Sequence, residues 1–188
     1  KGIYTKVATA EELADALGSN KNVMLTADID MGGETLELKG KNVKSFVKKI
    51  YGGGHTISNF KAKAYVGKSD LFDIDGESGY SFNGIFGSLE GATVTDVNFK
   101  DVTLEIDAMA SFINHVYIAP VAGRVKNSVL KNVTVDGMKI TLARLPEGFS
   151  PDNLVVNVTD AAAFKDELSE IVGCTVKNVT FKNGTETK

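Results

Sequence analysis

The sequence predicts an all-β fold in which short strands are stacked as repeat units. The main observation is a short pattern of an apolar residue, a polar residue, Asn or Asp, and a second apolar residue, which recurs along the chain. It occupies residues 56–60, 93–97, 129–133 and 175–179, and the four segments start 37, 36 and 46 residues apart. Self-similarity at such spacings is typical of stacked supersecondary units rather than of a single irregular core.

The first predicted element is a short amphipathic helix. Thr9 followed by Glu12 forms a capping box, and Gly18 ends the apolar periodicity. The apolar side comprises Leu13, Ala16 and Leu17. We expect this helix to close the N-terminal end of the stack, because an uncovered end would expose apolar residues and an unpaired strand edge.

Alternating strands and frequent corners follow the helix. Residues 22–30 alternate apolar and polar side chains up to Gly32, and Gly52–Gly54 mark a further turn. Residues 94–106 and 130–140 then each predict a strand, a corner and a second strand. From the repeated pattern we expect one inward file of side chains. Its members are Ile57, Val94, Leu130 and Val176.

The repeated Asn or Asp predicts a structural ladder at the adjoining corner. Its members are Asn59, Asp96, Asn132 and Asn178. Stacked side-chain amides can hydrogen-bond along such a file, and a carboxylate within it can still accept their N–H groups.

Three less regular segments interrupt the repeats, at residues 61–83, 107–119 and 141–158. Insertions that leave a stack at equivalent points collect on one face, where partners often bind. A second short helix is predicted near residues 160–172. Thr159 or Asp160 would cap it, and its apolar side would hold Phe164, Leu168 and Ile171.

Composition bounds the classes of function. The chain has 188 residues, and we expect a single domain over residues 1–188. Because it starts at Lys1 rather than Met, we expect it to be a fragment of a longer secreted or surface protein. The net charge of −3 argues against nucleic acid as a partner, and no apolar run is long enough for direct membrane insertion. Only two of the 21 basic residues are arginines, which leaves few bidentate anchors for anions.

Several segments together carry a resemblance to a known family. They are residues 9–13, residues 22–31, the Gly-Gly-His-Thr-Ile-Ser-Asn-Phe sequence at 53–60, and Gly-Ile-Phe-Gly at 84–87. In these segments the chain resembles the GLUG-type repeat regions of bacterial surface proteins, which are grouped with the right-handed, pectate-lyase-like parallel β-helices. The resemblance implies a right-handed parallel β-helix (solenoid) and an extracytoplasmic module, at the cell surface or secreted, that is often non-catalytic.

Acidic and tyrosine side chains in the insertions are the candidate binding residues. They are Tyr65, Asp70, Asp73, Asp75, Glu77, Tyr80 and Tyr117. On an extended chain Asp73 and Asp75 would point the same way, which suits a hard cation such as calcium; a solvated strand edge is the other interpretation. No other cofactor is predicted. Tyrosine rings can stack on sugars in a chain that has no tryptophan.

Two classes of function remain open. The first is a non-catalytic extracellular module for adhesion, glycan contact or spacing, whose partner would be carbohydrate or another surface protein. The second is a polysaccharide lyase or glycoside hydrolase acting on acidic glycans, which needs a carboxylate cluster beside a proton acceptor. Only the acidic group at residues 70–77, with Lys68, approaches that requirement. The sequence therefore favours the non-catalytic class and assigns no catalytic residue.

Overall fold

Parallel strands make up most of the protein. The computed structural model describes residues 3–184. Its helices are α1 (Ala10–Gly18) and two 3₁₀ turns, Lys68–Asp70 and Pro151–Asn153. The strands are β1 (Thr5–Val7), β2 (Val23–Leu25), β3 (Ile29–Asp30), β4 (Thr35–Leu36), β5 (Lys49–Tyr51), β6 (Thr56–Ala62), β7 (Phe72–Ile74), β8 (Glu77–Asn83), β9 (Gly87–Glu90), β10 (Thr93–Asp107), β11 (His115–Ile118), β12 (Ala122–Lys126), β13 (Val129–Arg144), β14 (Leu154–Val156), β15 (Ala162–Lys165), β16 (Glu170–Val172) and β17 (Thr175–Asn183).

These strands form three sheets, and the predicted all-β class is confirmed. The largest sheet has ten strands, and its main path runs β1–β2–β5–β10–β13–β16, with β3, β4, β6 and β17 paired alongside. The second sheet runs β14–β11–β8–β7, and the third runs β15–β12–β9. Among the described strands every pairing is parallel except that between β7 and β8.

Strands β10 and β13 bend twice because left-handed residues interrupt their pleat. In β10 these residues are Asp96 (φ 55°) and Asp101 (φ 54°), and in β13 they are Asn132 (φ 54°) and Gly137 (φ 85°). Asn, Asp and Gly are the residues that adopt this conformation most readily. At each bend the alternation of buried and exposed side chains restarts, so that both sides of the corner keep their apolar residues inside.

The core consists of apolar files that run across the parallel strands. One file contains Val23, Ile50, Val94, Leu130 and Ile171. The next contains Ile29, Ile57, Phe99, Val135 and Val176. The inward residues of β10 and β13 are almost fully buried, whereas Ile171 and Val176 are half-buried because β16 and β17 have a neighbouring strand on one side only.

The predicted single file and single ladder are therefore wrong in register. Val94 pairs with Leu130, but Ile57 pairs with Phe99 and Val176 pairs with Val135. The ladder divides accordingly: Asp96 and Asn132 lie at a first corner, and Asn59 and Asn178 lie at a second corner. All four have positive φ. The same pattern marks both corners because each needs a left-handed polar residue between apolar ones.

The predicted N-terminal helix is confirmed as α1. The Thr9 hydroxyl accepts a hydrogen bond from the Glu12 N–H at 3.2 Å, and the Glu12 carboxylate accepts one from the Ala8 N–H at 3.2 Å. The three predicted apolar residues are buried against the main core. The helix contacts β1 and β2, which lie at the N-terminal edge of the largest sheet.

The predicted second helix at residues 160–172 is absent from the structure. The segment instead provides β15, which pairs with β12, and β16, which pairs with β13. Leu168, expected on the apolar side, is 75% exposed in the turn between these strands. Pairing with two parallel neighbours satisfies backbone groups and outweighs the local helical periodicity.

The irregular insertions also contain regular structure that the sequence did not predict. Residues 61–83, 107–119 and 141–158 supply β7, β8, β11 and β14, which together form the second sheet. This sheet positions the aromatic side chains described next.

Candidate functional site

The seven candidate binding residues separate into three places. Tyr65 is buried and Asp70 is partly buried, and both lie beside Lys39. Asp73 and Asp75 lie on the β7–β8 hairpin, and Glu77, Tyr80 and Tyr117 come together on the second sheet.

Tyr65 and Asp70 hold the insertion in place rather than facing a ligand. The Tyr65 side chain is 3% exposed, and the Lys39 Nζ atom lies 4.1 Å from its ring centroid. That ammonium donates a 2.8 Å hydrogen bond to Asp70 Oδ1. Burial, followed by the charge of Glu37, raises the pKa of Tyr65 above its ordinary value. A phenol kept neutral inside the protein is a packing group here.

Asp73 and Asp75 do not form the extended pair that the sequence suggested. Asp75 (φ 51°) and Gly76 (φ 82°) are the two central residues of the β7–β8 turn, and consecutive positive φ values define a type I′ hairpin. Both carboxylates are exposed. Within residues 3–184, no group of three or more His, Cys, Asp or Glu side chains is placed to hold a metal ion.

The third group belongs to a surface that we call the aromatic face. It comprises Phe72, Tyr80, Phe82, His115, Tyr117 and Phe164. In β11, Val116 and Ile118 point into the core, so the pleat turns His115 and Tyr117 outward.

Register brings the aromatic rings of β8 and β11 together. His115 pairs with Tyr80 and Tyr117 pairs with Phe82 in parallel strands. The Tyr80 and His115 rings stack with centroids 3.9 Å apart and planes 8° from parallel. Tyr117 lies 6.0 Å from Tyr80 and meets Phe164 edge-on at 6.5 Å, so the face extends from the second sheet onto the third.

A carboxylate fixes the orientation of the stacked pair. Glu77 Oε2 lies 2.9 Å from His115 Nε2 and accepts a 3.3 Å hydrogen bond from the Tyr80 hydroxyl. Desolvation, and then the charge of Glu77, raises the pKa of Tyr80. Tyr80 is therefore a neutral hydrogen-bonding phenol near neutral pH rather than a phenolate base.

A buried arginine supports the aromatic face from beneath. The Arg124 guanidinium carbon lies 4.8 Å from the Phe72 ring centroid and 5.7 Å from that of Phe82, as expected for cation–π contacts. Its nearest carboxylate is Glu90, at 3.9 Å. Burial lowers the pKa of Arg124, but guanidinium remains charged in proteins. Phe82 is 2% exposed, Phe164 is 40% exposed, and the remaining rings of the face are half-buried.

The first corner forms a separate, polar groove of about 480 Å³ on the largest sheet. Asp96 and Asn132 lie side by side in it, and the Asn132 amide donates a 3.1 Å hydrogen bond to Asp96 Oδ1. Tyr51, which is 41% exposed, contributes an aromatic ring to the same groove.

Sequence reasoning missed several members of these surfaces, among them Phe72, Phe82, His115, Phe164 and Arg124 on the aromatic face and Tyr51 in the groove. Phe164 is predicted on the second helix, which is absent from the structure. The available signal was the alternation in residues 80–83 and 115–118, with aromatic rings at every second position.

The chemistry of both surfaces is stacking and hydrogen bonding. The aromatic face offers the half-buried rings of Tyr80 and Tyr117 and the exposed ring of Phe164, with a carboxylate at its edge. The groove offers one ring beside carboxylate and amide groups. The α-helix and 3₁₀ turns within residues 3–184 are all too short or too polar to cross a membrane. Comparison of the chain with protein-family models, curated proteins and solved structures returned no match.

Proposed function

We propose that this chain is a non-catalytic, right-handed parallel β-helix module of a bacterial surface protein, and that it contacts glycan through the aromatic face. Parallel pairing in all three sheets supports the β-helix, because strands such as β8, β11 and β14 recur once per repeat and stack in order. Right-handed connections between parallel strands are the strong preference of polypeptides. The extracytoplasmic location rests on the resemblance to GLUG-type repeats.

One observation carries the glycan contact: Tyr80 and Tyr117 present their rings from neighbouring strands, outside the core. Side chains of adjacent strands are spaced by about 4.8 Å, so the two rings offer a continuous apolar surface wide enough for a sugar ring. Aromatic rings of this kind bury large area while their hydroxyls remain in water. Glu77, at the edge of this surface, can accept hydrogen bonds from sugar hydroxyls.

A glycan array tests this proposal. The labelled protein is applied with and without calcium. It is compared with a Tyr80→Ala/Tyr117→Ala double variant and with a Tyr4→Ala control, which removes a tyrosine outside the aromatic face. We expect wild type and the control to bind the same glycans and the double variant to lose them. Equal signals from all three proteins would contradict glycan contact at the aromatic face, and absence of any signal would favour adhesion to protein or a spacer role.

A specific contact also supports the enzymatic alternative. The His115–Glu77 pair beside the Tyr80 hydroxyl has the composition of an acid–base group, which a lyase or hydrolase acting on acidic glycans would need. The stacked position of His115 and the raised pKa of Tyr80 favour a structural role for this group.

An assay for turnover of polysaccharides distinguishes the non-catalytic module from the enzyme. We expect no unsaturated product and no new reducing ends when the protein is incubated with uronic-acid polymers and neutral glycans, with calcium. Activity that disappears in His115→Gln and persists in the Asp73→Ala/Asp75→Ala variant would establish the enzyme instead.

A further inference from the structure

We infer that the groove at the first corner is a second binding site, specific for neutral saccharide chains. This inference rests on the proposed glycan contact and extends it to a surface for which the sequence predicts only structural residues. The groove lies on the largest sheet, whereas the aromatic face lies on the second and third sheets.

The polar groups of the groove include several hydrogen-bond acceptors. One N–H of the Asn132 amide donates to Asp96, and one N–H of the Asn98 amide donates a 3.0 Å hydrogen bond to the Gly54 carbonyl, so that each amide keeps a second N–H. Within residues 3–184, the side-chain oxygens of Asn98 and Asn132 accept no protein hydrogen bond. The groove therefore presents two amide oxygens and one carboxylate to donors from a ligand, and hydroxyl groups are such donors.

Glycines leave space in front of these acceptors. A Cβ atom on Gly173 would lie 2.4 Å from Asn132 Oδ1, well inside van der Waals contact. Gly54, on the opposite border of the groove, has no atom within 4 Å of the position of such a Cβ. A side chain at position 173 would therefore crowd the Asn132 oxygen, and the space beside Gly54 is open.

Tyr51 supplies the apolar part of the site. It pairs with Thr95, the residue before Asp96, so its exposed ring stands next to the acceptor group. A ring beside clustered oxygen acceptors suits a sugar, because the C–H face of the sugar covers the ring while its hydroxyls reach the acceptors.

Charge selects neutral chains over acidic ones. Asp96 carries a negative charge in the groove, and no lysine, arginine or histidine is among the lining residues. A uronate carboxylate placed there would meet like charge without compensation. Neutral hexoses and pentoses meet no such penalty.

The test is residue-resolved titration by NMR on the whole chain. The probes are maltohexaose, xylohexaose and mannohexaose as neutral chains and hexagalacturonate as the acidic chain, each at about 5 mM, which reveals contacts with Kd values in the millimolar range. We expect at least one neutral chain to shift the amide signals of Gly53, Gly54 and Gly173. We also expect hexagalacturonate to shift them much less.

Variants separate the two sites. We expect Tyr51→Ala to weaken the groove contact about tenfold, a loss of about 1.4 kcal/mol, and Tyr4→Ala to leave it unchanged. Shifts confined to Tyr80, His115 and Tyr117 would overturn the groove and keep the aromatic face. Shifts confined to the groove would support the groove and overturn glycan contact at the aromatic face. The absence of shifts at both surfaces would overturn both proposals.

Discussion

The Asn132 side chain donates a 3.1 Å hydrogen bond to the Asp96 carboxylate, although the two residues belong to different repeats. Both residues have positive φ and both lie at the first corner, so the bond joins two strands at the point where each bends. An equivalent side-chain bond at the second corner links Asn178 to Asp136 at 2.8 Å. Corner side chains therefore connect neighbouring repeats in addition to the backbone ladder.

The first prediction concerns this bond. We expect Asn132→Ala to lower the free energy of unfolding by about 1–3 kcal/mol, because it removes the hydrogen bond and replaces Asn by a residue that adopts the left-handed conformation less readily. Asn132→Gly is the matched control, since it removes the bond without that strain and should cost less. Urea unfolding of the three proteins measures the difference, and equal midpoints would show that the corner is energetically unimportant.

The second prediction concerns the burial of α1. Leu13 and Leu17 are 0% and 2% exposed, and a carboxylate at either position would be desolvated without a partner. We expect Leu13→Asp to destabilise the protein by several kcal/mol, about 3–5. Ala14→Asp, on the exposed side of the same helix, should change stability by less than about 0.5 kcal/mol. If both variants melt alike, the helix does not cover the core in solution.

The third prediction compares two glycines with positive φ. Gly173→Ala places its Cβ against Asn132 Oδ1, whereas Gly148→Ala meets no atom within 4 Å. Both substitutions strain the backbone by about 1–2 kcal/mol, but only Gly173→Ala adds a clash. We expect the larger loss of stability for Gly173→Ala in thermal unfolding. The reverse order would contradict the close approach of the two corners.

The fourth prediction concerns the stability of the protein at acidic pH. Hydrogen bonds from Ser169 and from the Asn127 N–H, at 2.7 and 2.9 Å, lower the pKa of Asp166. Because the folded pKa is the lower one, the contribution of Asp166 to stability is complete above the unfolded pKa, near 4, and is lost as the pH falls through the folded pKa. Asp28 and Asp107 shift in the same direction.

We therefore expect stability to fall on acidification below about pH 4. Asp166→Asn should flatten that decline and lower stability at pH 7, while Glu167→Gln, at the exposed neighbouring position, serves as the control. Denaturant unfolding at a series of pH values measures both effects. Parallel curves for wild type and Asp166→Asn would refute the role of this carboxylate.

The corners illustrate what sequence periodicity can and cannot reveal. The Asn-containing pattern correctly indicated sharp bends, because the left-handed conformation restricts the choice of residue. It did not indicate which of two bends each segment occupies, since both bends impose the same local requirement. Register comes from long-range pairing, as between Ile57 and Phe99, and a short motif carries no information about it.

Strand β8 of the second sheet escaped prediction because its alternation is inverted. In β8 the polar residues Ser81 and Asn83 are fully buried, while Tyr80 and Phe82 lie on the outer face. Inside the protein the Asn83 amide donates a 2.9 Å hydrogen bond to Ser81 Oγ, while the Asn83 side-chain oxygen has no hydrogen-bond partner among the described residues. A rule that places apolar residues inside assigns the two faces of this strand the wrong way round, and it therefore misses the aromatic face.

The affinity of the protein for its strongest glycan from the array is the most direct test of glycan contact at the aromatic face. Isothermal titration of wild type, the Tyr80→Ala/Tyr117→Ala variant and the Tyr4→Ala control supplies it. The proposal predicts a Kd at least about tenfold weaker for the double variant, with an unchanged unfolding midpoint and an unchanged Kd for the control. A double variant that folds normally and binds that glycan with the affinity of wild type would contradict the proposal.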